Sequence, residues 1–356
     1  MKRALFRVLA GGQDITALIA DRLISLSVSD SAGTQSDTLT IQVDNRDDII
    51  SIPSTGKDLH VFMGLEGDLV DKGVFVIDEL EEGLDDQILQ IHGKAADMKG
   101  SIKAPASRTW DDQSVGSLCD VIAARHGYLS AVHPEARPVP LGHLNQHAES
   151  DLALLTRICK DRGLVFKVAA QRLLITPKDA PENAEGVTLP TVVIADPADS
   201  SGRVTIAERN DYRAVKVCYF DAAQQVNVEV VLGDAAGPVY DMKSKAKNRE
   251  DAAKQANAKL SALLRGKSTM MLTRPLTADI VAQGLVDVVG HRQTANGLWQ
   301  VESVEHAIGP GQVGSSTMQL TTAIKSKSEI KITERRGAVI NQLILCGRSG
   351  MIKSVA

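Results

Sequence analysis

A pattern of three alternating segments occurs twice in this chain of 356 residues, near 59–93 and again near 285–323. In each copy, turns that contain glycine or acidic residues separate the segments. The middle segments, 73–80 and 297–304, keep a similar order of apolar and polar positions. Alternation at a period of two means that each strand buries one face only, as in antiparallel sheets. The repeat therefore predicts an internally duplicated β-barrel.

More alternating segments surround both copies. Residues 4–10, 23–29 and 38–44 join the first pattern to make six or seven strands, which are enough to close a small barrel. The sequence predicts a first tube-like barrel at 1–96, with strands after residue 190 as candidates to complete it. It predicts a second tube-like barrel at 204–323.

An alanine-rich helix is predicted within that second barrel. It begins at Asn248, with Asp251 three residues later in a variant of the capping box, and it ends at Gly266. A face made mostly of alanine lets a helix lie close to its neighbour.

Between the predicted barrels the apolar residues change from alternation to helical spacing, which predicts an α/β insertion at 97–180. Val115, Leu118 and Ile122 form an apolar stripe on one helix, which starts near Asp111 and Asp112. A second helix is predicted from the cap residue Ser150 to Gly163, followed by a hairpin at 164–175, and 181–203 is predicted to be a linker. The predicted fold class is mainly β, with two antiparallel barrels and a small helix–helix–hairpin domain.

The segment 324–356 differs from the rest because it is basic. It carries seven Lys or Arg and two Glu, and it contains an apolar run at 339–345. The alternation favours docking on a partner by strand addition, although nucleic-acid binding and a simply solvated tail stay open. The apolar residues predicted to dock are Ile330, Ile332, Ile340, Leu343 and Leu345.

Candidate catalytic and metal-binding residues have simpler structural interpretations. The pairs Glu81-Glu82 and Asp85-Asp86 lie in a predicted hairpin turn, and Asp111-Asp112 at a predicted helix start. His143 and His147 are four residues apart, but they are predicted to lie on a loop before the helix. The sequence predicts no catalytic, cofactor-binding or metal site.

Composition narrows the function classes further. A net charge of −4 argues against a dedicated nucleic-acid binder, and an aromatic content of 3% argues against single-strand or sugar-binding platforms. The four cysteines are widely spaced, which predicts no disulfide framework. No signal peptide and no membrane-spanning run is recognisable.

The segment 143–167 resembles the signature of the phage late-control D family. The matching positions are Gln146, Glu149, Ser150, Asp151, Leu155, Arg157, Gly163 and Phe166. The alanine-rich helix and the segment 298–304 also resemble this family, and the similarity covers roughly residues 1–323. Members are tail hub proteins of contractile-tailed phages and phage-derived bacteriocins, related to the base of type VI secretion spikes.

The resemblance implies a homotrimer without an active site, in which two barrels per subunit surround a channel. Such a pseudo-sixfold ring joins the tail tube to the central spike in a baseplate assembled in the bacterial cytoplasm. The implied partners are the spike, a tail tube or tube-initiator protein and baseplate wedge proteins. DNA or a tape-measure protein is expected only in transit, and no membrane insertion is expected.

Three alternatives accompany this interpretation. A cell-wall hydrolase on a β scaffold would use acidic pairs such as Asp111 and Asp112. A type VI-like spike base would carry effectors. Transcriptional control follows only from the family's name, and no basic recognition helix supports it.

Overall fold

Most of the described residues lie in β-strands in the computed structural model. The structure describes residues 3–33, 36–46, 50, 53–85, 87–95, 100–169, 171–178, 180–207, 212–265, 268–312, 314–323 and 332–336. The chain divides into two compact units. The first comprises 1–160, 164–206 and 268–323, and the second 161–163, 207–267 and 324–356.

The first half of the main sheet is formed by alternating strands near the amino terminus. They are β1 Ala4–Ala10, β2 Gln13–Asp14, β3 Leu23–Ser31, β4 Thr38–Asp44, β5 Asp58–Leu65, β6 Asp68–Glu82 and β7 Ile88–Lys94, with the short helix α1 Thr16–Ala20 after β2. Their inward side chains, among them Leu26, Ile41 and Phe75, form one hydrophobic cluster. The predicted alternation is confirmed here, since Leu39, Ile41 and Val43 are buried and the residues between them are not.

The segment between the halves of the sheet has its own hydrophobic cluster. Its elements are α2 Gly100–Lys103, β8 Pro105–Ser114, α3 Val115–His126, β9 Leu129–Val132, β10 Pro140–Ser150, α4 Asp151–Asp161, β11 Leu164–Ala169 and β12 Arg172–Pro177. Strands β8 and β10 pair with each other, and a small three-stranded sheet has the order β11-β12-β9. Apolar residues of α3, α4 and this sheet form the hydrophobic cluster of the segment.

The second half of the main sheet uses strands from the last third of the chain. They are β13 Thr191–Ile194, β14 Ser201–Ile206, β18 Ser268–Pro275, β19 Leu285–Val288, β20 Gly297–Ile308 and β21 Gly314–Thr322. Val286, Trp299, Val301 and Met318 belong to a separate hydrophobic cluster behind these strands. Strand β20 pairs with β3, so the two halves form one continuous sheet, and each half covers its own hydrophobic cluster.

Both halves have the same strand order, as an internal duplication requires. In the first half the neighbours run β3-β4-β7-β6-β5-β1, and in the second β14-β18-β21-β20-β19-β13. When the two-residue strand β2 is left out, each strand also occupies the same rank along the chain within its half. One difference lies at the end of each series, where β1 is antiparallel to β5 but β13 is parallel to β19.

The equivalence extends to individual residues. Both β6 and β20 carry an irregularity at the same place, between Ile77 and Glu79 and between Val301 and Ser303. Glu81 therefore corresponds to Glu305. Closure of either half into a barrel stays a prediction.

The second unit contains strands β15 Ala214–Asp221, β16 Val226–Gly233 and β17 Val239–Ala246, then helix α5 Arg249–Arg265 and strand β22 Ile332–Arg336. Its sheet has the order β17-β15-β16-β22. Ala252, Ala256 and Leu260 of α5 pack with Val215 and Val217 of β15 in one cluster. Asn248 caps α5 by accepting the Asp251 N–H at 2.9 Å.

Two predicted boundaries differ from the structure. Residues 214–265 were expected in the second barrel, but both faces of β15 are largely buried, and its apolar face forms a separate core with α5. The predicted linker 181–203 contains β13, which pairs with β19. Its four alternating residues follow Pro190 and were too few to stand out from a loop-like composition.

Helix α3 also starts later than predicted. Its cap is Ser114, whose Oγ accepts the Ser117 N–H at 3.1 Å. Asp111 and Asp112 lie in β8 instead, and His143 and His147 lie in β10 rather than on a loop. Most residues of both strands are polar, and their few apolar residues, Trp110, Leu141 and Leu144, do not form a period-two pattern.

Candidate functional site

The residues of the predicted family signature lie where strand β10 leads into helix α4. Asp151 is the first residue of α4, and its side chain is only 3% exposed. Gln146, also buried, precedes it on β10. The Ser150 Oγ accepts the Ala153 N–H at 3.1 Å, which satisfies one of the unpaired donors of the first helical turn.

Asp151 is the centre of a buried polar network. Its Oδ1 accepts hydrogen bonds from Arg108 Nη1 at 2.9 Å and Gln146 Nε2 at 2.7 Å. Its Oδ2 accepts from Arg125 Nη1 at 3.0 Å and His126 Nε2 at 2.8 Å. These donors come from β8, β10 and α3, so one carboxylate joins three elements to α4.

Gln146 extends this network to Trp110. The indole Nε1–H donates to Gln146 Oε1 at 3.0 Å, and Gln146 Nε2 also donates to the Glu149 carbonyl at 2.8 Å. The Arg125 guanidinium lies over the Trp110 ring, 5.3 Å from its centroid.

The charge of Asp151 is stabilised in the folded protein. Burial alone would raise the pKa of this carboxyl, but the hydrogen bonds that it accepts and the charge of Arg108 lower the pKa below 3.8. Both carboxylate oxygens of Asp151 accept hydrogen bonds from side chains of other elements. The network therefore holds β8, β10 and α3 against the start of α4.

The other signature residues surround this network. Arg157 forms a two-pronged ion pair with Glu149, at 2.9 and 2.7 Å. Leu155 and Phe166 are buried in the cluster behind α4, and Gly163 has a φ of +67° where the chain leaves the helix. A role in function for these eight residues stays a prediction.

A second buried charge cluster connects the insertion to the main sheet. Lys167 Nζ on β11 lies 2.8 Å from Asp30 and 2.7 Å from Asp37. Asp30 Oδ2 also accepts the Ala282 N–H at 2.8 Å. All three charged side chains are at most 23% exposed.

The two carboxyls of this cluster differ in acidity. Burial, together with the negative charge of Asp30, raises the pKa of Asp37 to about 6. Burial acts on Asp30 too, but the Lys167 charge and hydrogen bond lower its pKa. Two carboxylates that share one ammonium are expected to separate in this way.

A continuous polar face covers the main sheet on the side away from the hydrophobic clusters. Pairing registers place its residues in rows that cross the sheet. One row consists of Ser315, Ala307, Ser27, Thr40, His92 and Glu79, and another of Ser201, Thr273, Thr317, Glu305, Ser29, Thr38 and Lys94.

Hydrogen bonds between side chains connect this polar face from strand to strand. Ser25 Oγ donates to Gln42 at 2.9 Å, and Gln42 Nε2 donates to Gln90 at 2.7 Å. The hydroxyls of Thr273 and Thr317 are 3.0 Å apart. Above β14, β18 and β21 the polar face borders a groove of about 660 Å³. Small uncharged side chains dominate, so the face offers few cations to a polyanion.

The predicted docking residues are only partly covered by the structure. Ile332 begins β22, which pairs antiparallel with β16 of the same chain from Leu232 to Val228. Strand addition by the tail therefore occurs within the chain at this strand. Ile330, Ile340, Leu343 and Leu345 lie outside the described residues.

The candidates for chemistry are dispersed. Asp111 pairs with His143 on an exposed part of β8 and β10, and no group of three or more His, Cys, Asp or Glu suited to a metal occurs among the described residues. Cys119, Cys159 and Cys218 are buried and are not in disulfides. Within the described ranges, no helix is long and apolar enough to span a bilayer.

Sequence reasoning missed the partners of both buried charge clusters. One signal was available for Asp30, which occupies an inward position after Leu26 and Val28. A charge at a core position predicts a buried counter-charge. Arg108 and Arg125 gave no such signal, because arginines on polar segments are usually exposed.

Comparisons with known proteins agree with this fold. The family model for the phage tail baseplate hub (GPD) matches residues 86–312, well over half of the chain. The probable baseplate hub protein of Escherichia phage 186 is 31% identical over 211 residues, which are 59% of this chain and 54% of that protein. The chain thus spans about half the length of this curated relative.

Solved structures show the same fold at low sequence identity. The 43 kDa tail protein of prophage MuSo2 from Shewanella oneidensis has a TM-score of 0.64 at 14% identity, covering 89% of this chain and 98% of that chain. The E. coli c3393 protein, described as a component of the type VI secretion system, has a TM-score of 0.52 at 11% identity. That match covers 84% of this chain and 73% of the other.

Proposed function

Because this chain belongs to the phage tail baseplate hub (GPD) family, as its signature residues predicted, we propose that it is the structural hub of a contractile-tail baseplate. In this proposal three copies form a ring with pseudo-sixfold symmetry. The ring joins the tail tube to the central spike.

The observation that carries this proposal is the duplicated sheet. Each chain contains two six-strand series of the same order, and β3 and β20 place them side by side. Three chains then supply six similar units, which matches a sixfold tube on one side and a threefold spike on the other. Rings of this kind arise from head-to-tail contacts between neighbours.

The polar face is proposed to be the wall of the channel. Serine, threonine and glutamine can contact passing DNA or a tape-measure protein through weak hydrogen bonds. A wall rich in lysine and arginine would release counterions and hold DNA tightly. A face with few cations therefore supports the passage of DNA through the channel rather than its tight binding there.

A structural role is proposed instead of an enzymatic one. The relatives are described as baseplate hub proteins, and Asp111 of the candidate acidic pair is occupied by His143. Proposed partners are the spike, a tail tube or tube-initiator protein and baseplate wedge proteins, within a virion or phage-tail-like particle.

A type VI-like spike base is the second candidate. The fold similarity to a type VI secretion component supports it. The two candidates share the trimeric ring, and they differ in whether the ring carries an effector.

Native mass measurement tests the proposal. The chain is co-expressed with the central spike protein of the same particle, and the mass of the purified complex is measured by native mass spectrometry. Three chains of 38.0 kDa per complex are expected. A stable complex that contains one or two copies would contradict the proposal.

A further inference from the structure

Two strands of the main sheet each have one edge that pairs with no other strand in the described part of the chain. Strand β14 pairs only with β18. The carboxyl-terminal part of β6, after Val76, pairs with β7 on one side, whereas β5 reaches only as far as Val76 on the other. An open strand edge presents unpaired backbone donors and acceptors that favour pairing with another strand.

The corresponding edges are joined to each other at the centre of the sheet. There β20, the equivalent of β6, pairs with β3, the equivalent of β14. Glu305 lies opposite Ser29, and Val304 lies opposite Asp30. The junction between the two halves is therefore a strand pair of known register.

Transfer of this register to the open edges is unambiguous. Glu81 of β6 is equivalent to Glu305 of β20. Glu81 lies opposite Gln90 of β7, and Glu305 lies opposite Thr317 of β21, the strand equivalent to β7. Thr205 is equivalent to Ser29 by the same reasoning through β18 and β4. Glu81 would then lie opposite Thr205, and Leu80 opposite Ile206.

We propose that β14 of one copy pairs antiparallel with residues 79–84 of β6 and the following turn in a second copy, in this register. The inference rests on the proposed ring, and it identifies the contact that closes it. Each chain would contribute one junction within itself and one with its neighbour, so three chains would have six equivalent junctions.

The side chains at the open edges fit such a contact. Leu84 is 92% exposed and Ile206 is 62% exposed. Ile308, the equivalent of Leu84, is fully buried at the internal junction. Burial of an exposed leucine or isoleucine removes apolar surface from water, which stabilises an interface.

Charge is complementary as well. The edge of β6 carries Glu79, Glu81 and Glu82, all exposed, whereas β14 carries Arg203 and no acidic residue. In the transferred register, Arg203 and Glu81 are diagonal neighbours on the polar face, a distance that long side chains can span.

Disulfide trapping tests this register. A Glu81→Cys/Thr205→Cys variant of the full chain is prepared with Cys346→Ser, co-expressed with the central spike protein of the same particle, and oxidised with copper phenanthroline. Six strands lie between β14 and β6 within one sheet, so a bond between the new cysteines must join two copies. Covalent dimers and trimers are expected on a non-reducing gel.

The control pair is Glu81→Cys/Ser201→Cys. Ser201 lies on the same strand and face as Thr205, but about 13 Å further along. About tenfold less covalent product is expected from the control, because a disulfide requires Cα atoms closer than about 7 Å. Equal yields from both pairs, or none from either, would overturn the proposed register.

The native mass of the unoxidised sample distinguishes a wrong strand pairing from the absence of the ring itself. Three copies per complex without a specific cross-link would overturn the strand pairing and leave the ring intact. Absence of a three-chain complex would contradict the proposed function itself.

A Leu84→Asp variant provides an independent test. Leu84 is exposed in the single chain, so its substitution should leave the melting temperature unchanged while at least halving the fraction of three-chain complex. Leu129→Asp, at another exposed leucine (63%), should assemble normally. Normal assembly of Leu84→Asp would contradict a buried role for this residue.

Discussion

At the scale of single residues, buried charges hold the insertion in place. Asp151 binds side chains from three other elements, and Lys167 bridges two carboxylates near the main sheet. Removal of one partner from such a cluster costs far more than an exposed ion pair contributes, because the remaining charges are left without compensation.

Asp151→Asn should lower the free energy of unfolding by about 3 kcal/mol, because it leaves two arginines without their counter-charge. Urea denaturation measures this difference. Glu149→Gln is the matched control, since the Arg157 in its ion pair is 43% exposed, and it should cost less than about 1 kcal/mol. Equal effects of the two variants would contradict a central role for Asp151.

The same variant should change acid unfolding. The pKa of Asp151 is lower in the folded protein than the ordinary 3.8, so its contribution to stability is present above pH 3.8. That contribution is lost as the pH falls through the folded-state pKa. The stability difference between wild type and Asp151→Asn should therefore shrink at low pH.

Asp37→Asn should show the opposite dependence on pH. The pKa of Asp37 is raised from 3.8 to about 6 by folding, so the folded state binds this proton more tightly, and wild-type stability falls as the pH rises from 3.8 to 6. Between pH 4 and pH 7, the free energy of unfolding of the variant should rise relative to that of the wild type by on the order of 1–3 kcal/mol. Urea unfolding at both pH values measures this gain, and a constant difference would contradict it.

At the scale of single elements, local signals predicted most of the helices and strands. Ser150 and Asn248 are caps as expected, and the strands of both three-strand patterns occur. Strands β8 and β10 were not predicted because their few apolar residues do not alternate at a period of two. Their pairing depends on partners such as Trp110 and Gln146, and such contacts leave no periodic signal in a sequence.

The tail strand has a pairing partner that its composition did not indicate. The apolar alternation predicted docking on another protein, which stays a prediction, and β22 pairs with β16 of the same chain. A strand partner inside the chain and one outside it satisfy the same backbone groups. Sequence alternation alone therefore cannot distinguish them.

Truncation after residue 323 should expose the edge of β16. Hydrogen exchange of the amides at 228–232 should become faster, because the pairing with β22 covers this edge. Amides of β15 serve as the internal control, since β16 and β17 flank that strand on both sides. Unchanged exchange in β16 would show that β22 does not protect it.

At the scale of the whole molecule, the duplicated strand order was predictable because each copy repeats the same period-two pattern. The ranks and registers of the two series agree in the structure. The separate core of the second unit was not predictable, because alternating strands look alike whichever core they cover. Only the packing of α5 on β15 and β16 assigns them.

A ring of six similar units is the central claim about the assembled protein. Electron microscopy of the complex with its spike, viewed down the axis, tests this claim most directly. A central hole surrounded by six similar densities is expected, and at higher resolution these densities should resolve into pairs with threefold symmetry. A solid particle, or a hole surrounded by only three densities, would contradict it.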